Sequence, residues 1–186
     1  GGGGAAAAAP ELASTYAPEL DLKGAYAGAP PADLVQVADR IDGGLYAAFL
    51  LYAMAGQLAA YDVDPATHLN ETGLTALDGA AETCVTGSLA YAHLDSATLT
   101  RTGQDFPELV RSDAELGGIL AEQRIGAQGR RPDVPVMIAH SVTDDVIPYR
   151  AGRDLGRRWC AEGARVRFDP LLTPTHVGGH VAALPR

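Results

Sequence analysis

The sequence predicts an α/β fold in which the parallel strands of a sheet are interrupted by an inserted helical cap. Two apolar runs, residues 134–140 and 165–172, flank a helical pattern, which is the order of strand, helix and strand in a parallel sheet. Residues 32–127, upstream of both runs, are mostly helical in pattern and too many for a simple crossover. We therefore expect residues 1–31 and 128–186 to form the sheet core and residues 32–127 to form the cap.

Length and charge indicate a globular protein that does not bind nucleic acid. The chain has 186 residues, 47% of them hydrophobic, which is enough for a sizeable core. Its formal net charge is -9, whereas binding to phosphate groups needs clustered Lys and Arg side chains. No window approaches the roughly 18 uninterrupted apolar residues of a membrane span. The most apolar stretch is broken by Gly56 and Gln57.

The first predicted elements are a glycine-led helix and a short strand. Residues 1–4 are all Gly, and an Ala-rich run with helical composition follows them up to Tyr16. Because Gly destabilises the start of a helix, this run indicates either a sharp turn that another backbone or a ligand approaches closely, or a linker. Residues 22–27 are predicted to form a strand that ends before Pro30.

The predicted cap consists of helical segments separated by Gly, Pro and Asp-Pro breaks. The segments cover residues 32–41, 45–61, 70–84 and 108–123, with a looser piece up to residue 100. Residues 45–58 are apolar almost all round, which is typical either of a core helix or of a helix that lines an apolar cavity. The pattern alone leaves both interpretations open.

Two acidic residues and a histidine follow the predicted strands of the C-terminal part. Asp144 and Asp145 occupy the turn after strand 134–140, and a helix over residues 149–162 leads to the second strand. His176 lies in the Pro-interrupted loop after that strand. Consecutive parallel strands end at the same edge of a sheet, so these side chains suit an Asp–His pair in which the Asp fixes the tautomer of a general base. Taken singly, Asp also suits a turn and His176 a surface or capping position.

The order of Asp turn and His loop matches a hydrolase triad, but the chain lacks a motif for the nucleophile. Triads of this kind follow the chain order Ser, Asp, His, with the Ser in a Gly-x-Ser-x-Gly turn. That motif does not occur in the sequence. The serines that lack both glycines are Ser14, Ser88, Ser96, Ser112 and Ser141.

The remaining histidines and the cysteines predict no metal site. His176 and His180 are four residues apart, like half of a helical zinc motif, but the Glu that such a motif needs beside the first His is missing. His140 ends a predicted strand and is expected to be a structural residue. Cys84 and Cys160 can bond to each other, bond to cysteines outside the chain, or be buried thiols. These three alternatives are equally compatible with the sequence.

Seven stretches of the chain together resemble the secretory lipase family of α/β-hydrolases. The most specific are His-Ser-Val-Thr-Asp-Asp-Val-Ile-Pro-Tyr at residues 140–149 and Thr-His-Val-Gly-Gly at residues 175–179. The others are the polyglycine start at residues 1–5 and residues 16–24, 28–34, 42–49 and 159–164. The resemblance covers essentially the whole chain. It implies a partial α/β-hydrolase fold that begins just after the nucleophile elbow, as a C-terminal fragment of a longer enzyme.

The resemblance also implies a serine-dependent carboxylic ester hydrolase, most specifically a triacylglycerol lipase that works through an acyl-enzyme. His176 would be the general base and Asp144 would orient it, with Asp145 as the second choice for that role. The backbone N–H near Gly1 would serve the oxyanion hole. The nucleophilic Ser would precede Gly1, so we expect this chain alone to be inactive. Neither a metal nor an organic cofactor is implied.

For the substrate, the resemblance implies a lipid or other ester, with transient contact with a lipid interface and secretion. It does not imply a protein partner, and the negative net charge already argues against nucleic acid. Because insertions at strand ends lie over the catalytic face, the apolar cap helix is expected above His176. Phe49, Leu50 and Met54 are then predicted to line or support an acyl-binding tunnel. The alternative functions are an inert fragment or a non-catalytic binding module of the same fold. A serine peptidase or an acyltransferase is a further alternative, because the fold and triad serve several chemistries.

Overall fold

The computed structural model describes residues 2–183, and the chain divides into two units. Unit 1 consists of Gly1–Val37 and Gln123–Arg186, and unit 2 is the intervening segment Ala38–Glu122. The eight α-helices of the described residues are α1 (Gly2–Tyr16), α2 (Leu34–Ile41), α3 (Ala48–Ala60), α4 (Glu71–Ala81), α5 (Phe106–Ser112), α6 (Ala114–Gln123), α7 (Tyr149–Ala161) and α8 (His176–Ala183). No helix among the described residues is long and apolar enough to cross a membrane.

Unit 1 contains a parallel sheet whose described strands are β1 (Ala25–Gly28), β2 (Val136–Thr143) and β3 (Val166–Pro174), in that spatial order. β2 is almost continuously buried as far as Ser141, as expected of a strand in the middle of a parallel sheet. β1 begins three residues later than predicted. Ala25 pairs with Val136, so the next pair upstream would involve Pro135, which has no N–H for the ladder.

The strand predicted to end at His140 continues to Thr143 because polar side chains support its last residues. The hydroxyl of Ser141 donates a hydrogen bond to the backbone oxygen of Thr173 in β3. The Thr143 hydroxyl donates to the same oxygen at 3.1 Å. These bonds cross a register irregularity between Ser141 and Thr143, and they bring β2 directly up to Asp144.

The polyglycine start of α1 is explained by a close backbone approach. A Cβ added to Gly3 would lie 1.9 Å from the carbonyl oxygen of Gly28, the last residue of β1. No side chain fits at that distance, so the helix can pack here only with Gly. Of the two interpretations of this run, the structure therefore supports the close approach and not the linker.

The core of unit 1 lies between the sheet and the helices α1 and α7. It includes Ala7 of α1, Ile138 of β2, and Leu155 and Trp159 of α7, all of which are fully buried. The indole N–H of Trp159 donates to the carboxylate of Glu11. This bond satisfies the polar atom of a large buried aromatic side chain and connects α7 to α1.

Unit 2 is helical, and several of its turns begin at side-chain caps. Asp64, Asn70, Asp95 and Asp105 each accept a backbone N–H at the start of a helix or 3₁₀ turn. The predicted helix over residues 108–123 is in fact two helices, α5 and α6, because Asp113 stops the first and caps the second. The predicted apolar helix begins at Ala48 and not at residue 45.

Cys84 and Cys160 are free and exposed. Of the three alternatives for these cysteines, the structure therefore contradicts both the buried thiols and a bond between the two residues. The described residues contain no group of three or more His, Cys, Asp or Glu side chains placed to hold a metal ion.

Candidate active site

The turn that follows β2 holds the carboxylate of Asp144 in a fixed position. Its Oδ1 accepts the backbone N–H of Val146 at 2.9 Å and that of Ile147 at 2.7 Å. The side chain is only 1% exposed. The turn thus saturates one carboxylate oxygen with backbone donors and leaves the other, Oδ2, for a side chain.

His176 meets this second oxygen. Its Nδ1 lies 2.8 Å from Oδ2 of Asp144, within the range of a strong hydrogen bond, although 32 residues separate the two in sequence. The imidazole is 35% exposed, in contrast to the buried carboxylate. The hydrogen bond expected between these two residues is therefore present, and it occupies Nδ1 while leaving Nε2 for another group.

The electrostatics of the pair favour an ionised carboxylate. Burial raises the pKa of Asp144, but the hydrogen bond from His176 and the N–H groups of Ile147 and Val146 outweigh burial and hold the pKa below its ordinary value. Asp144 is therefore charged at neutral pH. An ionised carboxylate on Nδ1 keeps the proton on that nitrogen, so that Nε2 is the basic one.

His176 is the first residue of α8, whereas the sequence predicted a loop. The helix forms despite Gly178 and Gly179 because Thr175 caps it, with its hydroxyl oxygen accepting the N–H of Gly178 at 3.1 Å. Gly179 also allows close packing, since a Cβ there would lie 3.1 Å from the Cβ of Ser141. Capping and packing thus outweigh the low helix propensity of Gly.

Asp145, the second choice for orienting the histidine, contacts the backbone of His176. Its Oδ1 accepts the backbone N–H of His176 at 2.8 Å, whereas the imidazole ring of His176 is hydrogen-bonded to Asp144. The two adjacent carboxylates thus hold two different parts of one residue. His180, one helical turn further along α8, is exposed.

His140 is a contact of Asp144 that the sequence did not predict. Its ring is fully buried, and Nε2 lies 3.1 Å from the carbonyl oxygen of Ile147 and 3.6 Å from Oδ2 of Asp144. A carbonyl oxygen can only accept a hydrogen bond, so Nε2 carries the hydrogen and donates it to Ile147. Burial lowers the pKa of His140, against the smaller opposing effects of Ile147 and Asp144, and keeps the ring neutral. The only signal for this contact in the sequence was that His140 and Asp144 lie four residues apart at the end of a strand.

The other predicted site residues lie in unit 2 or outside the described residues. Leu50 of α3 is buried, and Phe49 and Met54 are partly buried. Phe49 packs between two tyrosine rings, with centroid distances of 6.0 Å to Tyr46 and 5.9 Å to Tyr52. Gly1, predicted for the oxyanion hole, lies outside the described residues.

Comparison with known protein families gives a match over the whole chain. The model of the family described as secretory lipase matches residues 1–186. A protein of Malassezia globosa named secreted triacylglycerol lipase LIP2 is 26% identical over an alignment of 175 positions that covers 90% of this chain and 38% of that protein. A protein of Moesziomyces aphidis named lipase A is 27% identical over 195 residues, covering 99% of this chain and 41% of that protein.

Comparison with solved structures agrees. The X-ray structure of Candida antarctica lipase A superposes with a TM-score of 0.84 at 27% identity, over 95% of this chain and 42% of that one. The fold is therefore part of an α/β-hydrolase fold, to which the three parallel strands and their flanking helices belong. The chain spans about 40% of the length of the relatives that it matches.

Proposed function

The chain belongs to the secretory lipase family, and from this premise we propose that it is part of a carboxylic ester hydrolase that acts on triacylglycerols. The single observation that carries the proposal is the 2.8 Å hydrogen bond between a buried carboxylate, Asp144, and a part-exposed imidazole, His176. That combination is what a general base with a fixed tautomer needs.

In the proposed mechanism a serine attacks the ester carbonyl, and Nε2 of His176 takes the serine proton. Asp144 stabilises the imidazolium that forms. His176 then returns the proton to the leaving alcohol, which leaves an acyl-enzyme that water hydrolyses by the same route. No serine of this chain lies in a Gly-x-Ser-x-Gly turn. We therefore propose that the nucleophile comes from outside these residues, and we call this chain together with the proposed segment that bears the nucleophile the complete enzyme.

The start of α1 supports an oxyanion hole near Gly1. Gly3 packs against Gly28, the last residue of β1, so the N-terminal turn of α1 lies at the carboxyl end of that strand. β1 is parallel to β2 and β3, whose carboxyl ends precede Asp144 and His176. Backbone N–H groups at a helix N-terminus stabilise a developing oxyanion, and one such donor contributes about 3 kcal/mol to catalysis.

For the substrate we propose the acyl chain of a glyceride, bound with the help of Phe49, Leu50 and Met54 in unit 2, the unit that we propose as the cap. The support is the apolar character of α3 and the partial exposure of Phe49 and Met54. The relatives in Malassezia globosa and Malassezia furfur are named as secreted triacylglycerol lipases. We therefore propose secretion and transient contact with a lipid surface for this protein too.

The test is hydrolysis of p-nitrophenyl esters and of triacylglycerol emulsions by the complete enzyme. His176→Ala should lower turnover by several orders of magnitude, as removal of a triad member does. His180→Ala is the matched control on the same helix and should keep most of the activity. If both variants retain activity, the assignment is wrong.

A wild-type protein without esterase activity would favour an inert fragment or a binding module. Cleavage of peptides, or acyl transfer in preference to hydrolysis, would favour a peptidase or an acyltransferase of the same fold. A simpler check is the coding sequence directly upstream of Gly1. A Gly-x-Ser ending there supports the proposal, and a start codon contradicts it.

A further inference from the structure

Asp145 lies next to the catalytic carboxylate, but it binds the main chain of the histidine and not its ring. The carboxylate oxygen Oδ1 accepts the backbone N–H of His176 at 2.8 Å across a separation of 31 residues. His176 opens α8, and the first N–H groups of a helix have no partner within the helix. A carboxylate from a neighbouring turn therefore meets a donor that the helix itself cannot satisfy.

The residue before the histidine has an unusual backbone conformation. Thr175 has φ of 65°, in the left-handed region, although Thr is β-branched. This conformation costs about 1–2 kcal/mol and persists only where the surrounding contacts enforce it. The Thr175 side chain caps Gly178, so it does not serve the N–H of His176. The bond from His176 to Asp145 is thus one of the contacts that hold the strained segment.

Two adjacent residues fix the histidine at two points. Asp144 binds Nδ1 of the ring and Asp145 binds the backbone N–H. Both carboxylates come from the turn after β2, which is itself ordered by the N–H groups of Val146 and Ile147 on Asp144. The hydrogen bond to the backbone N–H fixes the position of the His176 main chain. The hydrogen bond to Nδ1 fixes the orientation of the imidazole ring.

We propose that Asp145 is a positioning residue for His176, and this inference rests on the proposed ester hydrolysis. Asp145 acts through the backbone of the histidine and does not exchange a proton with its ring. The requirement is an acceptor oxygen at the right place, so the amide oxygen of Asn can replace the carboxylate. Displacement of a catalytic group by about 1 Å can cost up to about 100-fold in rate.

The experiment compares Asp145→Ala, Asp145→Ser and Asp145→Asn in the complete enzyme with a soluble p-nitrophenyl ester. Asp145→Ala and Asp145→Ser, whose side chains are absent or too short to reach the N–H, should lower kcat by about 10- to 100-fold with little change in KM. Asp145→Asn should recover most of that loss. Asp133→Ala removes the same charge at an exposed position of unit 1 and should have no such effect.

Two readouts do not depend on activity. Hydrogen exchange of the peptide over residues 173–180, followed by mass spectrometry, should be faster in Asp145→Ala and near wild type in Asp145→Asn. The ring Nδ1 proton of His176, observed in protein labelled with ¹⁵N-histidine, should remain in Asp145→Asn. If the wild-type protein lacks esterase activity, the proposed function fails. These two readouts still test whether Asp145 holds the backbone of His176.

Three outcomes would overturn the proposal. One is unchanged kcat together with unchanged exchange in Asp145→Ala and Asp145→Ser. Another is a loss in Asp145→Asn as deep as in Asp145→Ala, which would show that the charge matters and not the acceptor oxygen. The third is loss of the Nδ1 proton of His176 in Asp145→Asn, which would show that Asp145 is the carboxylate that holds the proton on the ring.

Discussion

Each unit contains an Asp–His pair whose carboxylate is also held by backbone N–H groups, and the two pairs differ in distance and in burial. In unit 1, Oδ2 of Asp144 lies 2.8 Å from Nδ1 of His176. In unit 2, Oδ2 of Asp113 lies 3.7 Å from Nδ1 of His68, beyond hydrogen-bond distance. The same two residue types thus give a hydrogen-bonded pair in one unit and a loose contact in the other.

The two pairs resemble each other in how the carboxylate is held. Asp144 receives backbone N–H groups from the second and third residues after it, at 2.9 and 2.7 Å. Asp113 also receives N–H groups from the second and third residues after it, at 2.9 and 3.0 Å, where they belong to the first turn of α6. In each case Oδ1 binds the backbone and Oδ2 faces the histidine, so the local turn does not distinguish the two pairs.

Burial distinguishes them, and it is reversed between the units. Asp144 is 1% exposed and His176 is 35% exposed, whereas Asp113 is 30% exposed and His68 is 5% exposed. A general base has to reach its substrate, so an exposed imidazole on a buried carboxylate suits catalysis. A buried imidazole beside an exposed helix cap suits packing. We therefore expect the exposure of the histidine, more than the Asp–His distance, to distinguish a catalytic pair from a structural one.

The strongest test of this comparison replaces each Asp by Asn and measures ester hydrolysis by the complete enzyme. Asp144→Asn should lower kcat about 10⁴-fold, because an amide no longer holds the productive tautomer of His176. Asp113→Asn should change kcat less than about 2-fold, because Asn caps a helix as well as Asp does. Equal losses in the two variants would remove the distinction between the pairs.

A second test concerns the packing behind the pair of Asp144 and His176. A Cβ added to Gly152 of α7 would lie 2.4 Å from Nδ1 of the buried His140, so Gly152→Ala should lower the free energy of unfolding by about 1–3 kcal/mol. In α3 of unit 2, a Cβ on Gly56 meets no atom of the described chain within 4 Å. Gly56→Ala should therefore raise stability by about 0.5–1 kcal/mol. Urea unfolding measures both, and stabilisation by Gly152→Ala would contradict the close packing on His140.

A third test uses pH to check that the buried histidine next to Asp144 is neutral. Burial holds the pKa of His140 below its ordinary value of 6.5, although Ile147 and Asp144 oppose this and His176 adds to it. A lowered histidine pKa contributes stability above pH 6.5 that is lost as the pH falls towards the folded-state pKa. His140→Gln should therefore flatten the decline in unfolding free energy below pH 6.5. An identical decline in wild type and variant would show that His140 does not cause it.

The smallest expected effect is on acyl-chain selectivity, and the experiment tests whether unit 2 contributes to substrate binding. Phe49→Ala and Met54→Trp, made separately, should shift the preferred acyl length among p-nitrophenyl esters by a few-fold in kcat/KM per methylene, since one buried methylene contributes about 0.8 kcal/mol. Loss of stability with an unchanged chain-length profile in both variants would make α3 an ordinary core helix. Unit 1 alone would then contribute to the proposed activity.

Sequence patterns predicted which strands and helices of unit 1 exist more accurately than the residues at which they begin and end. The apolar run before Asp144 and the helical pattern from Tyr149 correspond to β2 and α7, because a buried strand is almost continuously apolar and a helix packed on a sheet has one apolar face. The limits depended on partners elsewhere. Pro135 stopped the ladder at β1, and the hydroxyl of Ser141 extended β2, through contacts that no local pattern contains.

In unit 2 the sequence was less informative about continuity. Residues 108–123 have one helical periodicity, but Asp113 prefers to accept backbone N–H groups and so divides them into α5 and α6. The predicted start of the apolar helix at residue 45 was also too early, since Leu45 is exposed and α3 begins at Ala48. Periodicity reports which face is apolar, whereas capping determines where a helix ends.

The sequence by itself determined the class of fold, the family, and the candidates Asp144 and His176, because strand order and residue type are written along the chain. Only the tertiary structure decided between Asp144 and Asp145 for the ring of His176, and only it brought His140 to the same carboxylate. The physical reason is that adjacent side chains have the same sequence context. Their roles separate only when β2, β3 and α8 pack together and leave one carboxylate facing the ring and the other facing the backbone N–H.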